Sequence, residues 1–223
     1  MTSWLRANGL SVVLAILFLA FMAGQTWAGW LQYNDELSEH ETPKLSLGEY
    51  VRSGHFWEAT AENWESEFLQ MAAYVLLTIS LFQRGSSESK KPDEKESVDQ
   101  DPRDARGIHL SNAPGPVQRG GWRLSIYEHS LSIAFVVLFA LSFWIHAVGG
   151  TRAHNAEEML HGGDPMSVRE YLSTSQFWFE SFQNWQSEFL ALVSMVGLSI
   201  WLRRRGSPES KPVAAPHSHT GSH

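Results

Sequence analysis

The motif that decides the fold is Asn63-Trp64-Glu65-Ser66-Glu67-Phe68-Leu69, which recurs as Asn184-Trp185-Gln186-Ser187-Glu188-Phe189-Leu190 after a shift of 121 residues. Outward from this motif, the same shift aligns residues 10–90 with residues 131–211 without a gap. Three aromatic residues upstream of the motif also recur, with Tyr50, Phe56 and Trp57 matching Tyr171, Phe177 and Trp178. The chain therefore contains two copies of one unit, and each structural prediction has to hold in both.

Apolar residues are concentrated in a few runs, as in a membrane protein. Residues 10–30 and 131–150 contain no charged residue, and about 20 apolar residues in a helix cross a hydrocarbon layer of roughly 30 Å. Two shorter runs, 68–82 and 189–202, become long enough to span when each helix begins at the tryptophan of its motif, Trp64 or Trp185. We predict transmembrane helices at about 10–30, 64–83, 130–150 and 185–203.

The first apolar run has a second interpretation as a cleaved signal peptide. Arg6 precedes the run, and Thr26-Trp27-Ala28 resembles a cleavage site. Its repeat mate at 131–150 lies in the middle of the chain, where a signal peptide does not occur, and this favours a membrane helix in both copies. The chain has no cysteine, so it contains no disulfide framework, no thiolate metal site and no thiol nucleophile.

The distribution of charge predicts the orientation in the membrane. Of the 17 Lys and Arg residues, 13 lie in the N-terminal segment, in residues 84–123 or in the tail from residue 203, and such segments stay in the cytoplasm. Residues 35–67 and 152–188 together hold 15 acids and 4 bases, so the opposite face is acidic and suits cations and not nucleic acid. We therefore expect both termini in the cytoplasm and the two copies in parallel orientation.

Each polar segment after a long span predicts a helix on the outer membrane surface. Ser46 with Glu49, and Ser167 with Glu170, form the capping-box pattern that begins a helix. Apolar residues follow at three- and four-residue spacing, which is typical of an amphipathic surface helix. The predicted helices cover about 46–58 and 167–179 and turn near Ala59 and Glu180 into the next spans. A helix packed over the mouth of the bundle is the alternative.

The predicted fold is all-α: a four-transmembrane-helix bundle from two tandem parallel repeats, each with an amphipathic outer-surface helix. Repeat 1 covers residues 1–84, and repeat 2 covers residues 124–205. Residues 85–123 and 206–223 are rich in Ser, Pro, Gly and charged residues, a composition that cannot bury a core. We predict that they form a disordered cytoplasmic linker and a disordered cytoplasmic tail.

The repeated motif also supplies the candidate functional residues. In a helix, Glu67 lies one turn after Asn63 and next to Ser66, just inside the outer membrane boundary. Ionisable groups at such depth are costly and mark functional sites, and two copies could place two carboxylates together to bind a proton or a cation. A structural role and contact with a partner are the alternatives. The candidate ion, proton or structural site comprises Asn63, Ser66, Glu67, Asn184, Ser187 and Glu188.

Aromatic residues and histidines complete the candidates. Tryptophan and tyrosine gather at membrane boundaries, and the predicted interfacial residues are Tyr50, Trp57, Trp64, Tyr171, Trp178 and Trp185. His40 recurs as His161, and these two histidines with carboxylates would suit zinc. Because the surrounding segments are polar and acidic, solvated histidines are the competing interpretation. We predict no metal site and no cofactor.

The duplicated Tyr, Phe-Trp and Asn-Trp-x-Ser-Glu-Phe-Leu pattern around four spans resembles an uncharacterised bacterial integral membrane family, a domain of unknown function. The resemblance covers nearly the whole chain apart from the linker and the tail. It implies a location in the bacterial inner membrane and implies no activity. Glu65 stands where the second copy has Gln186, so the two copies are not strictly equivalent.

The chain lacks the sequence motifs of a phosphate-binding loop, a zinc protease or a serine-nucleophile elbow. We therefore expect a non-enzymatic envelope scaffold or a stress-related accessory protein. One alternative is a small cation or proton transporter that uses Glu67 and Glu188, and another is a membrane enzyme. The expected partners are the lipid bilayer and either another membrane protein or further copies in a homo-oligomer, with no nucleic acid.

Overall fold

The computed structural model describes residues 3–92, 94–104 and 111–221. These residues form helices and no strand, which confirms the all-α class. The α-helices are α1 Ser3–Glu39, α2 Leu47–Tyr50, α3 Gly54–Leu77, α4 Gly115–Arg119, α5 Gly121–Glu128, α6 Ser130–His161, α7 Val168–Tyr171 and α8 Ser175–Leu198. Short 3-10 helices lie at Ser97–Asp99 and Pro102–Asp104. The linker prediction at 93 and 105–110, and the tail prediction at 222–223, fall outside the described residues.

Among the described residues, two helices are long and apolar enough to cross a membrane, namely Trp4–Glu39 within α1 and the whole of α6. With 37 and 32 residues, α1 and α6 are longer than the predicted spans, because each continues from the apolar run into the polar segment after it. The prediction of four spans is met only in part, since α3 and α8 do not combine that length with that apolarity. The reason in α3 is the four glutamates between residues 58 and 67. In addition, α3 ends at Leu77 and α8 at Leu198, before the predicted ends of these spans.

Both predicted capping boxes are present. The Ser46 side chain accepts a hydrogen bond from the Glu49 N–H, and the Glu49 carboxylate accepts one from the Ser46 N–H at 2.8 Å. Ser167 and Glu170 form the same reciprocal pair, with the serine N–H to carboxylate distance at 2.7 Å. The helix that begins at each box is a single turn of four residues, shorter than the helices predicted at 46–58 and 167–179.

A second cap explains why these helices stop early. The Phe56 N–H donates to Ser53 Oγ at 3.2 Å, and the Phe177 N–H donates to Thr174 Oγ1 at 3.3 Å. Ser and Thr are favourable N-cap residues, so a new helix starts directly after each of them, at the beginning of α3 and α8. The turns predicted near residues 59 and 180 are absent, because α3 and α8 continue through these positions.

The chain divides into two compact units, which we describe separately. Unit 1 comprises Met1–Ala61 and Trp144–Phe177, and unit 2 comprises Glu62–Phe143 and Trp178–His223. The core of unit 1 is aromatic. Tyr50 packs against Phe56, and Tyr171 packs against Phe177, with ring centroids 5.7 Å apart in both pairs.

Two asparagines fix the segments that follow α1 and α6 in unit 1. Asn34 accepts from the Leu45 N–H at 2.7 Å and donates to the Leu45 carbonyl at 3.0 Å. Asn155 makes the same two bonds with Met166, at 2.8 and 2.9 Å. A primary amide can accept and donate at once, so each side chain replaces a backbone partner and holds the loop against its helix.

Unit 2 includes the segments predicted to be disordered. The Gln83 N–H donates to Ser89 Oγ, and the Arg204 N–H donates to Ser210 Oγ, both at 2.9 Å. Lys211 is 1% exposed, and its ammonium donates to several backbone carbonyls, including that of His219 at 2.9 Å. The described parts of the linker and tail therefore contain turns and, at α4 and α5, short helices. Their disorder in solution stays a prediction.

Candidate functional site

The two predicted glutamates lie in unit 2, on α3 and α8. Glu67 is exposed and Glu188 is half-buried. The Gln70 side chain donates to the backbone carbonyl of Glu188 at 2.9 Å, which joins the two helices at this level. The structure thus brings the predicted pair together, and its role in ion or proton binding stays a prediction.

The asparagine and serine of the motif make the same local bond in each copy. Ser66 Oγ donates to the Asn63 carbonyl, and Ser187 Oγ donates to the Asn184 carbonyl, both at 2.8 Å. Such bonds to the preceding turn satisfy a serine hydroxyl inside a helix. The copies differ in burial, because Ser66 is buried and Ser187 is exposed. Each hydroxyl proton is therefore used within its own helix.

The most deeply buried carboxylate in this region is Glu65, which is 0% exposed. Trp185 Nε1 donates to Glu65 Oε1 at 2.9 Å. An uncompensated buried charge costs several kcal/mol, so this hydrogen bond from α8 contributes to stabilising the carboxylate of α3. The difference between Glu65 and Gln186 in the repeat was the available signal for this residue. Its burial and its tryptophan partner were not predicted.

A second acidic pair in unit 2 was missed from sequence. One carboxylate oxygen of Glu62 and one of Glu180 lie within 4.8 Å of each other. Two like charges at this distance favour the uptake of a proton or the binding of a cation. The repeat gave no signal, because the matching positions in the other copy are Gln183 and Ala59.

Ser181 is a buried polar residue of α8, and its Oγ has no hydrogen-bond partner among the described residues. It precedes Trp185 by one helical turn, so both lie on the same face of α8, and Trp185 turns that face towards Glu65 on α3. In this region α3 and α8 therefore carry three carboxylates, those of Glu62, Glu65 and Glu180, and one buried hydroxyl.

The predicted interfacial aromatics fall into two groups. Tyr50 and Tyr171 are buried in unit 1, at 2% and 0% exposure, so these tyrosines fill its core. The Tyr50 hydroxyl lies 3.3 Å from His55 Nδ1, and the Tyr171 hydroxyl donates to Glu58 at 3.0 Å. The tryptophans keep part of their surface accessible, and their place at a membrane boundary stays a prediction; they are Trp57, Trp64, Trp178 and Trp185.

His55 is a half-buried titratable residue of unit 1. Burial lowers the pKa of His55 below its ordinary value, and the nearby negative charge of Glu36 acts against this change. The ring stacks on Tyr33 with centroids 4.8 Å apart. Burial therefore favours the neutral form of His55, whose ring packs among the aromatic residues of unit 1.

The two weak metal candidates also come together in unit 1. The rings of His40 and His161 meet edge to face with centroids 5.1 Å apart, and both residues are exposed. They lie at the carboxyl ends of α1 and α6. Sequence equivalence through the repeat pointed to this pair, and the structure adds their proximity.

Comparison with known proteins gives a family and no activity. No curated protein and no solved structure matches the chain. The family model described as a domain of unknown function, DUF6766, matches residues 1–222. This match agrees with the resemblance to an uncharacterised family stated above. Because the match covers nearly every residue, the chain belongs to the DUF6766 family, a domain of unknown function.

Proposed function

We propose that this chain is a multi-pass protein of the bacterial inner membrane that acts without catalysing a reaction, as an envelope scaffold or as an accessory to a membrane partner. In this proposal α1, α3, α6 and α8 all span the membrane, both termini are cytoplasmic, and two parallel copies of one two-span unit form the bundle. The Lys and Arg residues of the linker and tail support this orientation.

The duplication of structural detail supports the two-copy architecture. The bounds of α2 and α7, and those of α3 and α8, differ by the same 121 residues as the sequence repeat. The capping boxes recur at matching positions, and so do the hydrogen bonds of Asn34 and Asn155 to the loops after α1 and α6. Two segments that make the same local hydrogen bonds in the same order suit two copies that enter the membrane in the same direction.

The observation that carries the scaffold proposal is the exposure of α1. None of the most apolar window of α1 is buried within the protein, and only 17% of that of α6 is buried. Apolar surfaces of this size need lipid or another protein to cover them. The exposed side chains of α1 include Val13, Leu14, Ile16, Leu19 and Phe21, which gives a partner helix a continuous apolar surface.

Site-specific photocrosslinking in native membranes tests this proposal. A photoreactive phenylalanine analogue replaces Phe21, which is 72% exposed, and a control chain carries it at exposed Asn112 in the linker. We expect a protein adduct from position 21, to another membrane protein or to a second copy. Adducts with lipid alone, at Phe21 and at Leu14, would count against a scaffold.

The carboxylates of α3 and α8 favour a second candidate function, the passage of protons or cations. The supporting observation is the pair Glu62 and Glu180, whose oxygens lie within 4.8 Å. The fully buried Glu65 follows Glu62 on α3 by three residues. Polar groups that contact one another at membrane depth are a common feature of ion pathways. In this case Glu67 and Glu188 would belong to the same pathway.

Flux measurements in liposomes distinguish the two functions. Proton and cation flux is compared for the wild type, for Glu62→Gln with Glu180→Gln, and for Glu67→Gln with Glu188→Gln. Glu94→Gln in the linker is the matched control for loss of one charge. Flux that disappears in a folded double variant and persists in the control would establish transport. Flux equal to that of empty liposomes for the wild type would leave the scaffold proposal in place.

A further inference from the structure

His40 and His161 present two metal-binding rings at one point of unit 1. They come from equivalent positions of the two copies, 121 residues apart, and their ring centroids lie 5.1 Å apart. Both rings are exposed, so they can rotate towards a common ion. The pair lies where α1 and α6 end, and the carboxyl end of a helix carries partial negative charge that favours a cation.

Hydrogen bonding prepares the ring of His161 for coordination. Its Nδ1 lies 2.9 Å from the backbone carbonyl of Glu157. A carbonyl oxygen only accepts hydrogen bonds, so Nδ1 carries the proton, and in the neutral ring Nε2 keeps its lone pair. Metal-binding histidines commonly donate their second ring nitrogen to a backbone carbonyl in this way, because the bond fixes both tautomer and orientation.

We infer that His40 and His161 form a two-histidine binding site for a divalent transition metal of the zinc class. Imidazole nitrogen is a common ligand of zinc in proteins. The site is independent of the carboxylates on α3 and α8, and the inference does not depend on the proposed scaffold or transport role.

Titration of the purified full-length protein with Zn²⁺, followed by calorimetry, tests the site. The variants are His40→Gln, His161→Gln and the double variant. Because His217 and His219 in the tail are further potential metal ligands, a control chain carries His217→Asn with His219→Asn. We expect one Zn²⁺ per chain in the wild type and in the tail control. Each single substitution at the site should weaken binding by about tenfold or more, as expected for loss of a ligand or its support.

A measurement on the wild type makes the test independent of variant folding. Diethylpyrocarbonate modifies accessible histidines, and peptide mapping gives the extent of modification at each one. We expect Zn²⁺ to protect His40 and His161 selectively. Protection confined to the tail histidines, no protection at all, or unchanged Zn²⁺ affinity in the folded double variant would overturn the inference.

Discussion

At the scale of single residues, the copies of the repeat differ most informatively at Glu65. The second copy has Gln186 at the matching position, and that difference marked Glu65 as an extra carboxylate. The sequence could not show that Glu65 is fully buried or that Trp185 binds it, because both depend on how α3 packs against α8. The two copies share their length and motif, but only the packing of the helices shows that they differ in the environment of Glu65 and Gln186.

Replacing Trp185 with Phe removes the donor to Glu65 and keeps most of the ring volume. We expect the free energy of unfolding in detergent to fall by about 1.5–3 kcal/mol, the usual range for a hydrogen bond to a charged group. Trp64→Phe is the matched control, because Trp64 is the repeat mate of Trp185. If both variants lost the same free energy of unfolding, the hydrogen bond from Trp185 to Glu65 would not contribute the predicted stability.

His55 predicts a pH dependence of stability. Its pKa is lower in the folded protein than the ordinary value of 6.5, so the unfolded chain takes up the proton first as the pH falls. The His55 contribution to stability is therefore present above pH 6.5 and is lost as the pH falls through and below this value. We expect the Tm of the wild type to fall between pH 7.5 and pH 5.5.

The variant His55→Gln isolates this effect, since the second copy carries Gln176 at the same position. Its Tm should fall less than that of the wild type over the same pH range. The exposed His129 provides the control, and His129→Gln should keep the wild-type dependence. An unchanged pH dependence in His55→Gln would contradict the assignment of a buried neutral histidine.

At the scale of elements, short-range patterns were predicted well and competing caps were not. The capping boxes were identified because all their atoms lie within four residues. The early end of α2 and α7 was missed because Ser53 and Thr174 cap the next helices, α3 and α8. No sequence pattern indicated that these second caps would interrupt the helices that begin at Ser46 and Ser167. The hydrogen bonds of Asn34 and Asn155 to the following loops were missed. Asn34 and its partner Leu45 are 11 residues apart, which is farther than a local sequence pattern reaches.

Close packing of Tyr171 against α6 gives a test at this scale. A Cβ on Gly150 would lie 2.5 Å from Tyr171 Oη and 2.6 Å from its Cε1, well inside contact distance. We expect Gly150→Ala to lower the free energy of unfolding by about 1–3 kcal/mol, as overpacking does in other cores.

Gly24 in α1 provides the matched control, because a Cβ there meets nothing within 4 Å. Gly24→Ala should leave stability unchanged or raise it by up to about 1 kcal/mol, the difference in helix propensity between the two residues. Thermal unfolding in detergent measures both variants. If Gly150→Ala were as stable as Gly24→Ala, the described contact between Tyr171 and α6 would be wrong.

At the scale of the whole molecule, hydrophobicity predicted the two long apolar helices α1 and α6, whereas the orientation inferred from charge stays a prediction. The sequence could be interpreted this far because length and apolarity decide whether a helix can cross a membrane. It was less informative for α3 and α8, which combine apolar runs with glutamates near their starts. Whether these helices cross the membrane depends on whether their acids are covered by the protein, and composition does not determine that.

Cysteine labelling determines whether the chain crosses the membrane four times, as we propose. The chain contains no cysteine, so single cysteines can be introduced without removing others. The positions are Lys44 after α1, Asn112 in the linker and Asp164 after α6, all exposed. A membrane-impermeant maleimide is applied to intact spheroplasts and to lysed ones.

With four spans, Lys44→Cys and Asp164→Cys react in intact spheroplasts, and Asn112→Cys reacts only after lysis. If only α1 and α6 cross the membrane, with the same cytoplasmic N-terminus, the linker lies outside and the segment after α6 lies inside. Labelling of Asn112→Cys in intact spheroplasts, together with protection of Asp164→Cys, would therefore contradict the four-span architecture.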